Sequence, residues 1–205
     1  MEVDCTAMSQ HPSALLLAQL RAGEESLRIR LACGAECDGN ARQATLRAAV
    51  ARELGAQLSS RDRPLVRWLL EQEVAYVRAA GHGVTETFYT LIAALARFGQ
   101  AEDVLLLWRA REATNETQSG IDVEQALRAG SDRVRDYLHE LAQSDEPIAL
   151  EARAALEWIE AGIAAGAADD LPGYFHWADE RFGLQVAGPT CRFNGSASCE
   201  AALSS

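Results

Sequence analysis

The stretch from Thr85 to Glu112, TETFYTLIAALARFGQAEDVLLLWRARE, decides the fold. Phe88, Leu91, Ile92, Leu95 and Phe98 recur at helical spacing, and the Thr85 hydroxyl is placed to cap the helix they form. The pattern breaks once, at Phe98-Gly99-Gln100. Beyond the break, Val104 to Trp108 is nearly all apolar. Its length would suit a strand, but the charged flanks Glu102, Asp103 and Arg109 to Glu112 favour a helix. A helix, a tight glycine-containing turn and a second apolar helix make an antiparallel helical hairpin, the unit of α-solenoids and small bundles.

Working outward, the pattern stays helical. Residues 12–22 and 24–37 read as short helices split by Gly23, and 40–57 place Leu46, Val50 and Leu54 on one face. Asp62 and Pro64 mark the start of a helix over 63–79 that buries Leu65, Trp68, Leu69 and Val77; Gly81 and Gly83 end it. Residues 113–120, ATNETQSG, read as the clearest internal loop. A short helix follows at 121–129, then one capped by Ser131 to about 143. Asp145 to Pro147 opens an alanine-rich helix over 148–165, and the amphipathic segment YFHWADERF spans 174–182. The expected class is all-α, with roughly nine helices in antiparallel pairs. They form one domain over residues 1–182, followed by a Gly/Ser/Cys-containing tail at 183–205.

The block FYTLIAALARFGQAEDVLLLWRARE resembles a HEAT-like repeat, in which an A helix ends at a small turn and an acidic cap opens an apolar B helix. The resemblance covers about residues 40–165, where helix pairs start near 40, 85, 121 and 148. It implies an α-solenoid or an irregular helical bundle, and a surface for binding other proteins. Two departures stand against a tidy solenoid: no proline bends the first helix at Thr90 to Leu95, and 113–120 is long for a repeat turn.

Composition narrows the chemistry. All nineteen basic residues among the 205 are arginines, so no lysine is available as a Schiff base, a phosphate-loop cation or a dyad base. The formal charge of −11 opposes broad attraction to nucleic acid or anionic membranes, and neither is expected as a partner. Arg61, Arg63 and Arg67 form a local basic cluster, read as a solvated helix face. The amino terminus, MEVDCTAMSQHPSALLLAQL, lacks the basic flank and long apolar core of a signal peptide, and no apolar run reaches spanning length. A cytoplasmic location with reduced thiols is the expectation.

Catalytic signatures are missing. There is no nucleophile elbow, no glycine-rich nucleotide loop, no phosphate loop and no paired-histidine zinc helix. Cys33 and Cys37 stand four apart, reachable on one helix face or across a helix end, but a second such pair is lacking. His139, three after Asp136, supplies half of a carboxylate-x-x-His motif, and His176 stands four before Glu180. Glu71, Glu73 and Glu86 read as solvated acids. The aromatic residues carry the main expectation. Trp108, Trp158, Tyr174 and Trp177 are the candidate anchors for another protein or peptide, with no cofactor expected. The alternatives are an enzyme of unrecognised type, in its metal-dependent form with Cys33, Cys37, His139 or His176 as ligands, or a modified-peptide precursor. The Ser, Thr and Cys of its tail resemble the modifiable core of a thioether peptide.

Overall fold

The computed structural model describes residues 12–34, 37–80 and 84–184. Eleven helices occupy them: α1 (Pro12–Arg21), α2 (Glu25–Leu31), α3 (Cys37–Ala56), α4 (Arg63–Ala80), α5 (Glu86–Ala96), α6 (Val104–Arg111), α7 (Asn115–Gly120), α8 (Val123–Leu127), α9 (Ser131–Ala142), α10 (Ile148–Ala164) and α11 (Leu171–Arg181). Short 3-10 turns at Ser60–Asp62 and Ala101–Asp103 lead into α4 and α6, and no sheet is present among the described residues. The all-α expectation holds.

The hairpin forms as its residues dictate. Thr85 accepts a hydrogen bond from the Phe88 amide and caps α5, whose Phe88, Leu91, Ile92 and Leu95 are buried. Gly99 adopts a φ of 59°, a left-handed conformation that glycine reaches without a Cβ clash, and the chain reverses there. The α6 segment is a helix, with Val104 to Leu107 all buried.

Packing then proceeds in neighbouring steps. α1 and α2 lie on α3, which also meets α4 and α5; α4 holds α5 and α6; α6 and α8 meet α10; α9 pairs with α10. α11 docks on α8, and the residues that follow it return to α3, where Leu184 is buried beside Gly55 and its carbonyl accepts from Arg97. One contiguous apolar core runs from Leu17 to Leu184.

Several segments differ from the sequence expectation. Residues 115–120 are helical rather than a loop. Thr114 and Thr117 form a reciprocal capping box, and the fully buried Thr117 hydroxyl also donates to the Arg111 carbonyl, so a polar segment is held by its own hydroxyls. Ser131 is the first residue of α9 and makes no cap; Gly130 occupies that place. α2 ends at Leu31, so Cys33 lies beyond it and Cys37 opens α3. The two are separated by a helix break and share no helix face. The expectations for Gly81 and Gly83, for the cysteines at 191 and 199, and for the tail beyond 184 fall outside the described residues.

Of the three acids expected on solvated faces, Glu71 and Glu86 are exposed, and Glu73 is not. Glu73 is 1% exposed and accepts from Arg47 Nε at 2.5 Å; Arg47 is itself 0% exposed and donates from Nη1 to the Leu31 carbonyl at 2.9 Å. Arg63 and Arg67, far from forming a free basic patch, both close on the buried carboxylate of Asp103. Asp62 is gripped at both oxygens by Arg21, and Asp179 by Arg128 with Arg97 at 3.3 Å. Each clamp joins segments distant in sequence.

A buried ion pair makes a sharp prediction, because removing one partner strands the other charge. Glu73→Leu alone should lower unfolding stability by about 3–5 kcal/mol, whereas Arg47→Met with Glu73→Leu should recover most of that loss. Urea midpoints of the single and double variants check it.

Candidate interaction surface

The four aromatic residues singled out in the sequence assemble into two pairs. Trp108 of α6 and Trp158 of α10 lie with ring centroids 5.7 Å apart, and Arg111 sets its guanidinium 5.3 Å from the first ring and 5.5 Å from the second. Both rings are partly buried and pack on the core. Tyr174 and Trp177, one turn apart on α11, are 5.5 Å apart, with Phe175 edge-on to Tyr174. Trp177 is 51% exposed.

The segment between α7 and α8 joins these pairs. An open cleft of about 410 Å³ runs between it and the end of α10, lined by Ile121, Val123, Trp158, Ala161 and Gly162, with Asp122 and Glu124 also on its wall. On the other side, a smaller pocket of about 70 Å³ is enclosed by Tyr89, Ile92, Gly120, Ile121, Asp122, Gln125, Tyr174, Trp177 and Phe182. Ile121 and Asp122 belong to both. Trp158, Tyr174 and Trp177 therefore line adjoining depressions, while Trp108 lies behind Trp158 and supports it.

α11 is held in this position by charge and hydrogen bonds. Asp170 caps it by accepting from the Gly173 amide, and the Asp179 clamp ties it to α5 and α8. Tyr174 donates its hydroxyl proton to Asp122 Oδ2 at 2.9 Å and accepts from Gln125 Nε2 at 3.1 Å. Burial, followed by the charge of Asp122, holds the Tyr174 phenol well above its ordinary range; burial raises Tyr89 as well, with the charges of Glu116 and Asp122 adding to it. The Asp122–Tyr174–Gln125 chain was not legible beforehand, because Tyr174 lies 52 and 49 residues from the other two and shares no local pattern with them.

Of the metal candidates, Cys33, His139 and His176 stand on three separate segments, and the Cys37 side chain lies outside the described residues. Cys33 follows α2, and its thiol donates to the Gly34 carbonyl at 3.8 Å; His139 is exposed on α9. His176 is exposed on α11, 3.4 Å from Glu180. Among the described residues no three His, Cys, Asp or Glu side chains converge as ligands. A depression of about 430 Å³ between α3, α5 and the end of α11 carries Arg52 and Arg181 beside Glu86 and Glu180, a wall of mixed sign with no predicted anchor. Among the described residues no helix is long and apolar enough to cross a membrane. Comparison of the chain with known protein families, curated proteins and solved structures finds no match.

The raised Tyr174 phenol sets a pH dependence. The folded state keeps this proton above the ordinary value of 10.0, so the associated stability is complete below that pH and is lost as pH rises and the unfolded chain ionises. Absorbance at 295 nm should count fewer than the four tyrosines of the chain as phenolate just above pH 10, and all of them once the protein unfolds. Tyr174→Phe should lose stability less steeply over the same interval.

Proposed function

We propose that this protein is a non-catalytic interaction module that binds another protein or peptide across the face formed by α8, α10 and α11. The observation that carries the reading is the convergence of Trp158, Tyr174 and Trp177 on two depressions sharing Ile121 and Asp122. Large aromatic side chains at the edge of an apolar cleft, with polar residues around them, are the composition of a binding hot spot. The stepwise contacts, α1 with α3, α3 with α5, α4 with α6 and α8 with α10, support grouping the chain with HEAT-like arrays, whose members mostly offer surfaces to partners.

The test is affinity capture from the native host with the full chain beside Trp177→Ala. Trp177 is half exposed, so its truncation should leave the thermal midpoint within a few degrees while weakening a stoichiometric partner by ~30-fold, the ~2 kcal/mol typical of an interface anchor. Trp108→Ala, by contrast, should destabilise the fold by removing the support beneath Trp158 and Arg111. A partner recovered equally by wild type and Trp177→Ala would move the interface elsewhere. No stoichiometric partner with either form would sink the reading.

A further inference from the structure

The small pocket beside α11 has the chemistry of a cation receptor. Its walls include the rings of Tyr89, Tyr174, Trp177 and Phe182, and its one charged lining residue is Asp122. Aromatic faces carry negative electrostatic potential, so rings around a carboxylate favour an ammonium or guanidinium. Glu116 and Glu124 add negative charge nearby, both felt at the pocket tyrosines. Of the neighbouring arginines, Arg97 and Arg128 grip Asp179, and Arg181 lines the separate depression beside α3 while lying 5.8 Å from the Phe182 ring; none is among the residues lining the pocket.

A second observation is independent of the acid and the rings. Gln125 is 4% exposed, lines the pocket, and its Oε1 accepts no hydrogen bond. The orientation of its amide follows from the network. The single Tyr174 hydroxyl proton is directed at Asp122, so the Gln125 group facing that hydroxyl must be the NH₂ donor. Oε1 is thereby left as a buried acceptor needing a donor. Of the polar residues on the pocket wall, Asp122 and Gln125 each present an acceptor that suits N–H, beside the hydroxyls of Tyr89 and Tyr174.

The other tryptophans show how this protein satisfies such rings internally. Arg28 lies over Trp68, and Arg111 over both Trp108 and Trp158. Among the described residues no guanidinium of the chain lies over Trp177. The volume of about 70 Å³ is far below the ~300 Å³ of a small-molecule cleft but exceeds the ~10–15 Å³ that admits one water, a fit for a head group of a few heavy atoms. We infer that this pocket receives the cationic head of a lysine or arginine side chain from the partner protein, with the adjoining apolar cleft taking a neighbouring apolar residue. The inference rests on the interaction reading above and specifies what the partner must present.

The test uses the full-length protein labelled with ¹⁵N and follows the Trp177 indole N–H resonance. The probes are acetyl-Gly-Lys-Gly-amide, its arginine counterpart and the norleucine analogue, at constant ionic strength. The lysine or arginine peptide should shift the resonance saturably, and norleucine should not. Asp122→Asn, which keeps the shape and an acceptor for Tyr174, should weaken the effect by at least ~10-fold if a desolvated charge is recognised. Gly120→Ala is a second probe of the same walls. A Cβ there would stand 2.3 Å from the Tyr89 hydroxyl, so that ring must swing and the response should fall. Equal shifts from the norleucine peptide, or an unchanged response in Asp122→Asn, would overturn the inference. So would binding of free n-butylammonium without binding of either cationic peptide, which assigns the pocket to a small amine. If the peptides fail while Trp177→Ala still loses the captured partner, the cation inference falls and the interaction reading stands. If they bind while Trp177→Ala retains that partner, the interaction reading falls.

Discussion

The buried pair of Arg47 and Glu73 is the constraint on which the amino-terminal half depends. Two charges without solvent are tolerable only when each finds its partner and its remaining polar atoms find others. Arg47 of α3 meets most of that demand: Nε on Glu73 of α4, Nη1 on the Leu31 carbonyl at the end of α2, and the guanidinium 5.5 Å from the ring of Tyr76, while Nη2 is buried without a hydrogen-bond partner. Glu73 in turn accepts from Thr85 at 3.4 Å, the residue that caps α5. Four helices are therefore referred to one guanidinium–carboxylate contact. A slide of α3 along α4 would break it and leave charge in the core, so the pair selects a register that apolar packing alone, tolerant of exchange among leucines and valines, would specify weakly.

The same device recurs with different sequence separations. Asp62, Asp103 and Asp179 each receive guanidinium groups from other segments, the last two receiving two apiece, and the pair on Asp179 closes α11 onto the ends of α5 and α8. Arginine suits the task because its planar fork meets both carboxylate oxygens at once and resists deprotonation when partly buried. A lysine at Arg21 or Arg128 would offer a point charge where two parallel hydrogen bonds are made. The absence of lysine from the chain fits this architecture, in which cations serve as joints between helices.

What the sequence disclosed follows the range of the interactions involved. Periodicity over Phe88 to Leu95, the Thr85 cap and the turn at Gly99 are local, and each is where the pattern put it. The α7 helix escaped notice because ATNETQSG has no apolar period; its stability comes from hydroxyls bonding to nearby backbone, which composition reads as loop. Glu73 and the arginines at 63 and 67 looked solvated because burial of a charge is announced only by its partner, and Arg47 and Asp103 are 26 and about forty residues away. The aromatic residues were legible by type. Their grouping around Ile121 and Asp122 was not, since it arises from where α10 and α11 return after long excursions.

These points bear on why the outer surface has the character it does. The chain holds 30 acids against 19 arginines, and the arginines at 21, 47, 63, 67, 97, 111 and 128 are spent on joints between or within helices. The acids therefore outnumber the arginines left to meet them, and Glu124, for one, stands on the cleft wall. Uncompensated carboxylates around exposed rings repel acidic partners and draw basic ones, so the wiring that stabilises the interior also sets what the exterior accepts. On the reading proposed above, internal arginine clamps and an external preference for cations are two consequences of one allocation of charge, and a partner for this face must bring the positive charge that the fold has used up inside.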